Sequence, residues 1–72
     1  MSKSTSDLKE IVRVGGGINI DGNSYAPMDL KEMARQANAS GATIIIRNAI
    51  NKSTADLKEI ARAAPGKVVF EL

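Results

Sequence analysis

The ionisable residues best suited to chemistry in this sequence are Asp21, Arg47 and Glu71, because each directly follows a short and mainly apolar segment with the composition of a strand. If those segments are neighbouring strands of one sheet, the arginine lies between the two carboxylates. Paired carboxylates can act as general acid and base, but only when one of them keeps its proton near neutral pH. An arginine between them favours the ionised form of both, which suits a structural role better than proton transfer. An active site shared between subunits would have to use this pair, and the chain contains no histidine.

Two other motifs resemble ligand-binding loops and are better interpreted as turns. The glycines at 15–17 come after a predicted helix and before a predicted strand, whereas phosphate-binding loops run from strand to helix. The segment 21–24, Asp-Gly-Asn-Ser, looks like the start of a calcium loop but lacks the glutamate that closes one. The absence of cysteine and histidine excludes the usual thiolate and imidazole metal sites. The sequence therefore predicts no catalytic residue, no metal site and no cofactor.

The motif Asp-Leu-Lys-Glu, followed by Ile or Met, occurs three times and begins at Asp7, Asp29 and Asp56. In the second and third copies, apolar residues fall at i, i+3, i+4 and i+7 from the leucine, which is the stripe of an amphipathic helix. Ser4 and Ser53 stand three residues before the aspartates of their copies, a spacing typical of helix N-caps. Each copy thus predicts one helix, and capping explains the motif better than catalysis does.

Each predicted helix ends in glycine and is followed by a segment with strand alternation. The predicted strands are 18–21, 43–47 and 68–72. Consecutive strands joined by helices should be parallel, and right-handed crossovers place all the helices on one face if the strand order is 1-2-3. We predict an α/β fold in which three helix–strand repeats form a short, solenoid-like, parallel three-stranded sheet, as one small domain over residues 1–72.

The repeats also predict the register of the strands. Aligning the first aliphatic residue of each strand turns six apolar side chains toward the helices: Ile18, Ile20, Ile44, Ile46, Val68 and Phe70. The opposite face then carries an apolar centre and a charged row in which Arg47 lies between two carboxylates. The simpler interpretation is that Arg47 only stabilises an exposed sheet. The alternative is an interface formed by Asn19, Asp21, Ile45, Arg47, Val69 and Glu71.

The architecture resembles leucine-rich repeats, which are built from strand-plus-helix units of about 20 to 29 residues. The segment Ile18-x-Ile20-x-x-Asn23 is similar to the alternating aliphatics and asparagine of that class. In the second repeat the pattern changes, because Asn48 follows Ile46 by only two residues. The resemblance implies a single parallel sheet backed by helices, with its open face available to protein partners. It implies no catalytic residues.

The ends of the predicted repeat array favour association. Stacked repeats normally need polar capping units, and neither end of this sequence has enough residues to form one. The edge of the last strand is rich in β-branched and aromatic residues and invites pairing. We therefore expect a non-enzymatic protein-interaction or assembly module. It should self-associate, with a dimer favoured, through the open sheet face, the edge of the last strand, or both; another protein is the alternative partner.

Charge and hydropathy limit the remaining possibilities. The formal net charge is +2, with both signs interspersed along the chain, so the basic excess is a weak indication of nucleic-acid binding. No apolar stretch approaches the roughly 20 residues of a membrane span, and no secretion signal is evident, so we expect a cytoplasmic protein. A second, less favoured hypothesis is a nucleic-acid accessory protein that uses basic residues on the helix faces: Lys31, Arg35, Lys58 and Arg62.

Overall fold

A computed structural model describes residues 3–72, in which helices and strands alternate as the repeats predict. The helices are α1 (Thr5–Arg13), α2 (Pro27–Ser40) and α3 (Thr54–Ala63). The strands are β1 (Ile18–Asp21), β2 (Ile44–Arg47) and β3 (Val68–Phe70). Short 3₁₀ turns, Gly22–Ser24 and Ala49–Asn51, follow the first two strands. The strands agree with the predicted ones, except that β2 begins slightly later and β3 ends slightly earlier.

Helices α1 and α3 begin at serines, as the sequence predicts. The Oγ atom of Ser4 accepts a hydrogen bond of 3.2 Å from the N–H of Asp7, and Ser53 accepts one of 3.1 Å from Asp56. Each bond satisfies an N–H group of the first helical turn, which has no partner within the helix. Helix α2 begins instead with Pro27, which has no N–H group to satisfy. The repeated motif is therefore a helix start in all three copies.

The end of α2 is fixed both to its own last turn and to α1. Gly41 has a left-handed backbone with φ of 83°, and its N–H donates to the carbonyl of Ala37 at 2.7 Å. Glycine adopts this conformation without the strain that a Cβ atom introduces. The hydroxyl of Ser40 donates to the Val12 carbonyl at 2.6 Å and accepts from the Ala42 N–H at 3.3 Å. These bonds align the ends of neighbouring repeats.

The three strands form one parallel sheet in the order β1-β2-β3. Its register is the predicted one, because Ile18 pairs with Ile44 and Asp21 with Arg47, while Ile44 also pairs with Val68. All three helices contribute side chains to the same hydrophobic cluster as the inward-facing strand residues. The six strand residues that were predicted to face the helices belong to that cluster or pack against it: Ile18, Ile20, Ile44, Ile46, Val68 and Phe70.

The repeats are not equally buried. Leu30 and Ile44 of the second repeat are each only 1% exposed, because a neighbouring repeat packs on both sides of them. The equivalent residues of the third repeat, Leu57 and Val68, are only partly buried. Among the described residues, no element packs on the outer side of α3 and β3. The third repeat therefore leaves an apolar end partly open to solvent.

Candidate interaction surface

The face of the sheet opposite the helices is uncovered within residues 3–72. The molecule measures 29 × 29 × 17 Å, and its smallest dimension corresponds to a single sheet with a single layer of helices. Strand alternation places six side chains on this face, which we call the open-face cluster: Asn19, Asp21, Ile45, Arg47, Val69 and Glu71. They are the residues that the sequence predicts as an interface.

The centre of the open-face cluster is apolar. Ile45 pairs with Asn19 on one side and with Val69 on the other, so these three residues form one row across the sheet. Ile45 is partly buried between the neighbouring strands, whereas Val69 is more exposed, at 48%. An exposed apolar centre within a polar surround is the layout of a small protein interface.

A second, charged row lies at the carboxyl end of the strands. Asp21 and Arg47 are paired across β1 and β2. Glu71 follows β3, and its N–H donates to the carbonyl of Ile46 at 2.9 Å while its own carbonyl accepts from the Ala49 N–H at 3.0 Å. The backbone of Glu71 therefore continues along β2, beside the row that contains Asp21 and Arg47.

The contacts of Arg47 differ from the predicted ladder of ion pairs. Within the described part of the chain, Arg47 has no ion pair within 4.0 Å of a carboxylate. Its Nε atom donates instead to Oδ1 of Asn19 at 2.8 Å. Asn19 is the diagonal neighbour of Arg47 across the strands, within reach of a long side chain. The predicted register is thus confirmed, but the predicted ion pairs with Asp21 and Glu71 are wrong.

The carboxylate of Asp21 accepts its hydrogen bonds from two amide groups. Its Oδ1 atom accepts from the backbone N–H of Asn23 at 2.9 Å and from Nδ2 of Asn48 at 3.1 Å. These two hydrogen bonds, the Asn23 bond first, hold the pKa of Asp21 below its ordinary value, and the nearby charge of Arg47 adds to the effect. A carboxylate with a lowered pKa is ionised at neutral pH, so Asp21 is suited to accepting hydrogen bonds rather than to general-acid chemistry.

Three asparagines that the sequence does not identify as site residues connect the first two repeats at the same end of the sheet. Nδ2 of Asn51 donates to Oδ1 of Asn23 at 3.1 Å, and Asn48 binds Asp21 as described. Asn48 has a left-handed backbone with φ of 57°, which asparagine tolerates better than most residues. The sequence contains one indication of this difference between the repeats. The connection from β2 to α3 is one residue longer than that from β1 to α2, because Ser53 follows Ile46 by seven positions and Ala26 follows Ile20 by six.

A cavity of about 250 Å³ adjoins the open-face cluster beside β1. Asn19, Asp21 and Arg47 form part of its lining, together with Tyr25 and Lys3. The hydroxyl of Tyr25 donates to the Lys3 carbonyl at 2.9 Å, which holds the segment before α1 against the first repeat. The cavity and the open face thus share three polar side chains.

The four basic residues of the nucleic-acid hypothesis lie on the helices, and three of them are paired with carboxylates. Lys31 lies 3.2 Å from Glu59, and Arg62 lies 3.0 Å from the same residue. The Lys31 hydrogen bond lowers the pKa of Glu59 below its ordinary value. Arg35 pairs with Glu32, and the remaining residue, Lys58, is exposed. This pairing reduces the positive field, and the nucleic-acid hypothesis stays a prediction that a gel shift at low salt tests.

Comparisons with protein-family models, with curated proteins and with solved structures find no match to this chain. In the part of the chain that the structure describes, none of the helices has the length and apolar character needed to cross a membrane.

Proposed function

We propose that this chain is a small, non-enzymatic protein-interaction module, a solenoid-like stack of three helix–strand repeats that self-associates through its open sheet face, the edge of β3, or both. The observation that carries the proposal is the one-sided sheet: helices cover only one face of a slab that is 17 Å thick. Open faces of this kind in repeat proteins serve as binding surfaces.

The composition of the open face supports a protein partner. Its centre, Ile45 and Val69, offers apolar area that association removes from water, which is the main favourable term in protein binding. Its surround offers hydrogen-bonding groups on Asn19, Arg47 and Glu71, all of which are exposed. A surface with an apolar centre and a polar rim binds a partner that carries the same pattern, and a second copy of the chain has that pattern.

Sedimentation velocity over a range of protein concentrations tests the proposal. The chain should sediment as an oligomer, most simply a dimer, at high micromolar concentration and dissociate on dilution. Ile45→Glu introduces a charge into the apolar centre and should weaken an association through the face, while the helical circular dichroism stays unchanged. Val14→Glu is the matched control, because Val14 is 81% exposed at the end of α1 and lies outside the open-face cluster. A compact monomer at every concentration would exclude self-association.

A further inference from the structure

The edge of β3 presents an alternating set of backbone groups to solvent. The Ile44 N–H donates to the Lys67 carbonyl at 2.8 Å, and the Glu71 N–H donates to the Ile46 carbonyl at 2.9 Å, so the odd-numbered residues of this segment bond to β2. Because the direction of the backbone groups alternates along a strand, the N–H and C=O groups of Val68 and Phe70 point to the other side. Within residues 3–72 no strand pairs with that side, which we call the β3 edge.

The side chains at the β3 edge lack the cover that their counterparts have. Val68 and Phe70 are partly buried, whereas Ile44 and Ile46, the residues they pair with in β2, are each only 1% exposed. The difference arises because β2 is flanked by a strand on both sides and β3 on one. A further strand at the β3 edge would bury both apolar side chains and satisfy the four backbone groups of these residues.

We propose that the β3 edge pairs with the β3 edge of a second copy, antiparallel and about a two-fold axis through Val69. This pairing rests on the proposed function, because it specifies the contact through which the chain self-associates. In this arrangement Val68 lies opposite Phe70 of the second copy, and the two residues exchange both of their outward-pointing backbone hydrogen bonds. Val69 lies opposite Val69 of the second copy, and both side chains are on the open face. The apolar centres of the two open faces therefore become continuous.

Charge complementarity selects this register. With Val69 on the axis, Lys67 lies opposite Glu71 of the second copy, and the symmetry forms this pair twice. Opposite charges at directly facing positions of antiparallel strands are favourable. Registers shifted by two residues in either direction keep the backbone groups matched, but they remove Lys67 from Glu71. The sequence around β3, Lys-Val-Val-Phe-Glu, is thus complementary to itself when reversed.

The same row of charges disfavours the alternative in which copies stack head to tail. Continuing the parallel sheet would place β1 of the next copy beside β3 in the register that β1 and β2 already show. Asp21 of that copy would then lie opposite Glu71, and facing carboxylates repel each other. The two-fold pairing avoids this contact and stops at two subunits because it uses the β3 edge of both copies, whereas head-to-tail pairing leaves a β3 edge to which a further copy can add.

Reversing the charge of Lys67 or Glu71, and exchanging the two charges, tests the antiparallel pairing of the β3 edges. Lys67→Glu and Glu71→Lys should each raise the dimer dissociation constant about tenfold, because each variant places like charges opposite each other at both symmetric positions. The double variant Lys67→Glu/Glu71→Lys restores opposite charges and should return the constant to about the original value. Lys9→Glu, on the distant helix α1, controls for the change in net charge.

A disulfide provides a second, independent measurement, since the chain contains no cysteine. Facing residues of a non-hydrogen-bonded antiparallel pair have Cα atoms about 4.5 Å apart, within the range that a disulfide spans. Val69→Cys should therefore form a covalent dimer under mild oxidation much faster than Val14→Cys, a control at a more exposed position. If the charge variants leave the dissociation constant unchanged while Ile45→Glu removes association, the β3 pairing is overturned and the proposed function stands. If the unmodified chain is monomeric throughout, both are overturned.

Discussion

Arg47 and Asn19 are joined across β1 and β2 by a hydrogen bond of 2.8 Å from Nε to Oδ1, on the open face of the sheet. The bond ties the guanidinium to the first strand and leaves its terminal nitrogens at the surface, where Arg47 is exposed. Because its orientation is set before any association, we expect this guanidinium to lose less freedom than a mobile one if the open face binds a partner's carboxylate or carbonyl.

Replacing Arg47 by glutamate should change an association through the open face far more than the stability of the fold. The side chain is exposed, so the change in the free energy of unfolding should stay within about 1 kcal/mol. An association through the open face should be lost, since a third carboxylate would join Asp21 and Glu71, whereas pairing at the β3 edge should persist. Urea titration followed by circular dichroism measures the first effect and sedimentation measures the second. Arg13→Glu on α1 is the control, and it should leave association intact. Loss of association in both variants would point to net charge rather than to the open face.

The response of stability to acid should depend on Asp21. Its pKa is lowered in the folded state by the bonds from Asn23 and Asn48, so its contribution to stability is present above the pKa of the unfolded chain and disappears as the pH falls through the folded pKa. The free energy of unfolding should therefore decline below about pH 4, the ordinary range of aspartate. Asp21→Asn should make this decline shallower in urea titrations between neutral pH and pH 2.

Glu59 offers an independent check of how a lowered pKa makes stability depend on pH, because its hydrogen bond from Lys31 lowers its pKa in the folded state. Glu59→Gln should also make the acid decline shallower. The two sites lie on opposite layers of the molecule, so the double variant should combine both effects. An acid decline that is the same in the original chain and in all three variants would show that these hydrogen bonds do not form in solution.

The sequence predicts the elements and the register because both follow from periodicity. Three copies of one motif specify helix starts through local serine caps, and the alternation of Ile18 and Ile20 with polar residues specifies which face of the strand is buried. In β1, a shift of one residue would turn both isoleucines to solvent and bury Asn19 and Asp21, so the orientation of this strand has no close competitor, and the repeats extend it to β2 and β3. The core and the membership of the open-face cluster were therefore predictable.

The contacts within the open-face cluster were not predictable, because they depend on competition between polar groups. Register shows that Asp21 lies opposite Arg47, but not that Asn23 and Asn48 donate hydrogen bonds to its carboxylate. Asn48 belongs to the connection between β2 and α3, which is one residue longer than the connection between β1 and α2. The sequence shows this extra length but not the backbone conformation that Asn48 adopts. Nor does register show that Arg47 donates to Asn19 on its diagonal rather than to the facing carboxylate.

The left-handed backbone of Asn48 makes its substitutions informative. Asn48→Ala both loses the hydrogen bond to Asp21 and puts a residue that tolerates the left-handed conformation less well than asparagine at this position, which should destabilise the fold by about 1–2 kcal/mol. Asn48→Gly loses the same hydrogen bond but relieves the backbone strain, so it should cost less than the alanine. Urea titration of both variants at neutral pH provides the comparison. If the two variants cost the same, the lost side-chain bond and not the backbone conformation determines the effect.

Two leucines at equivalent positions of successive repeats should differ in their contribution to stability. Leu30→Ala removes a side chain that is 1% exposed and packed on both sides, so it should cost about 2–5 kcal/mol. Leu57→Ala should cost clearly less in the dilute monomer, since Leu57 of the third repeat is only partly buried. Urea titrations at low and high protein concentration measure both costs. If association covers the end of the third repeat, the cost of Leu57→Ala should rise with concentration toward that of Leu30→Ala. Equal costs in the dilute monomer would instead mean that the third repeat is already closed within one chain.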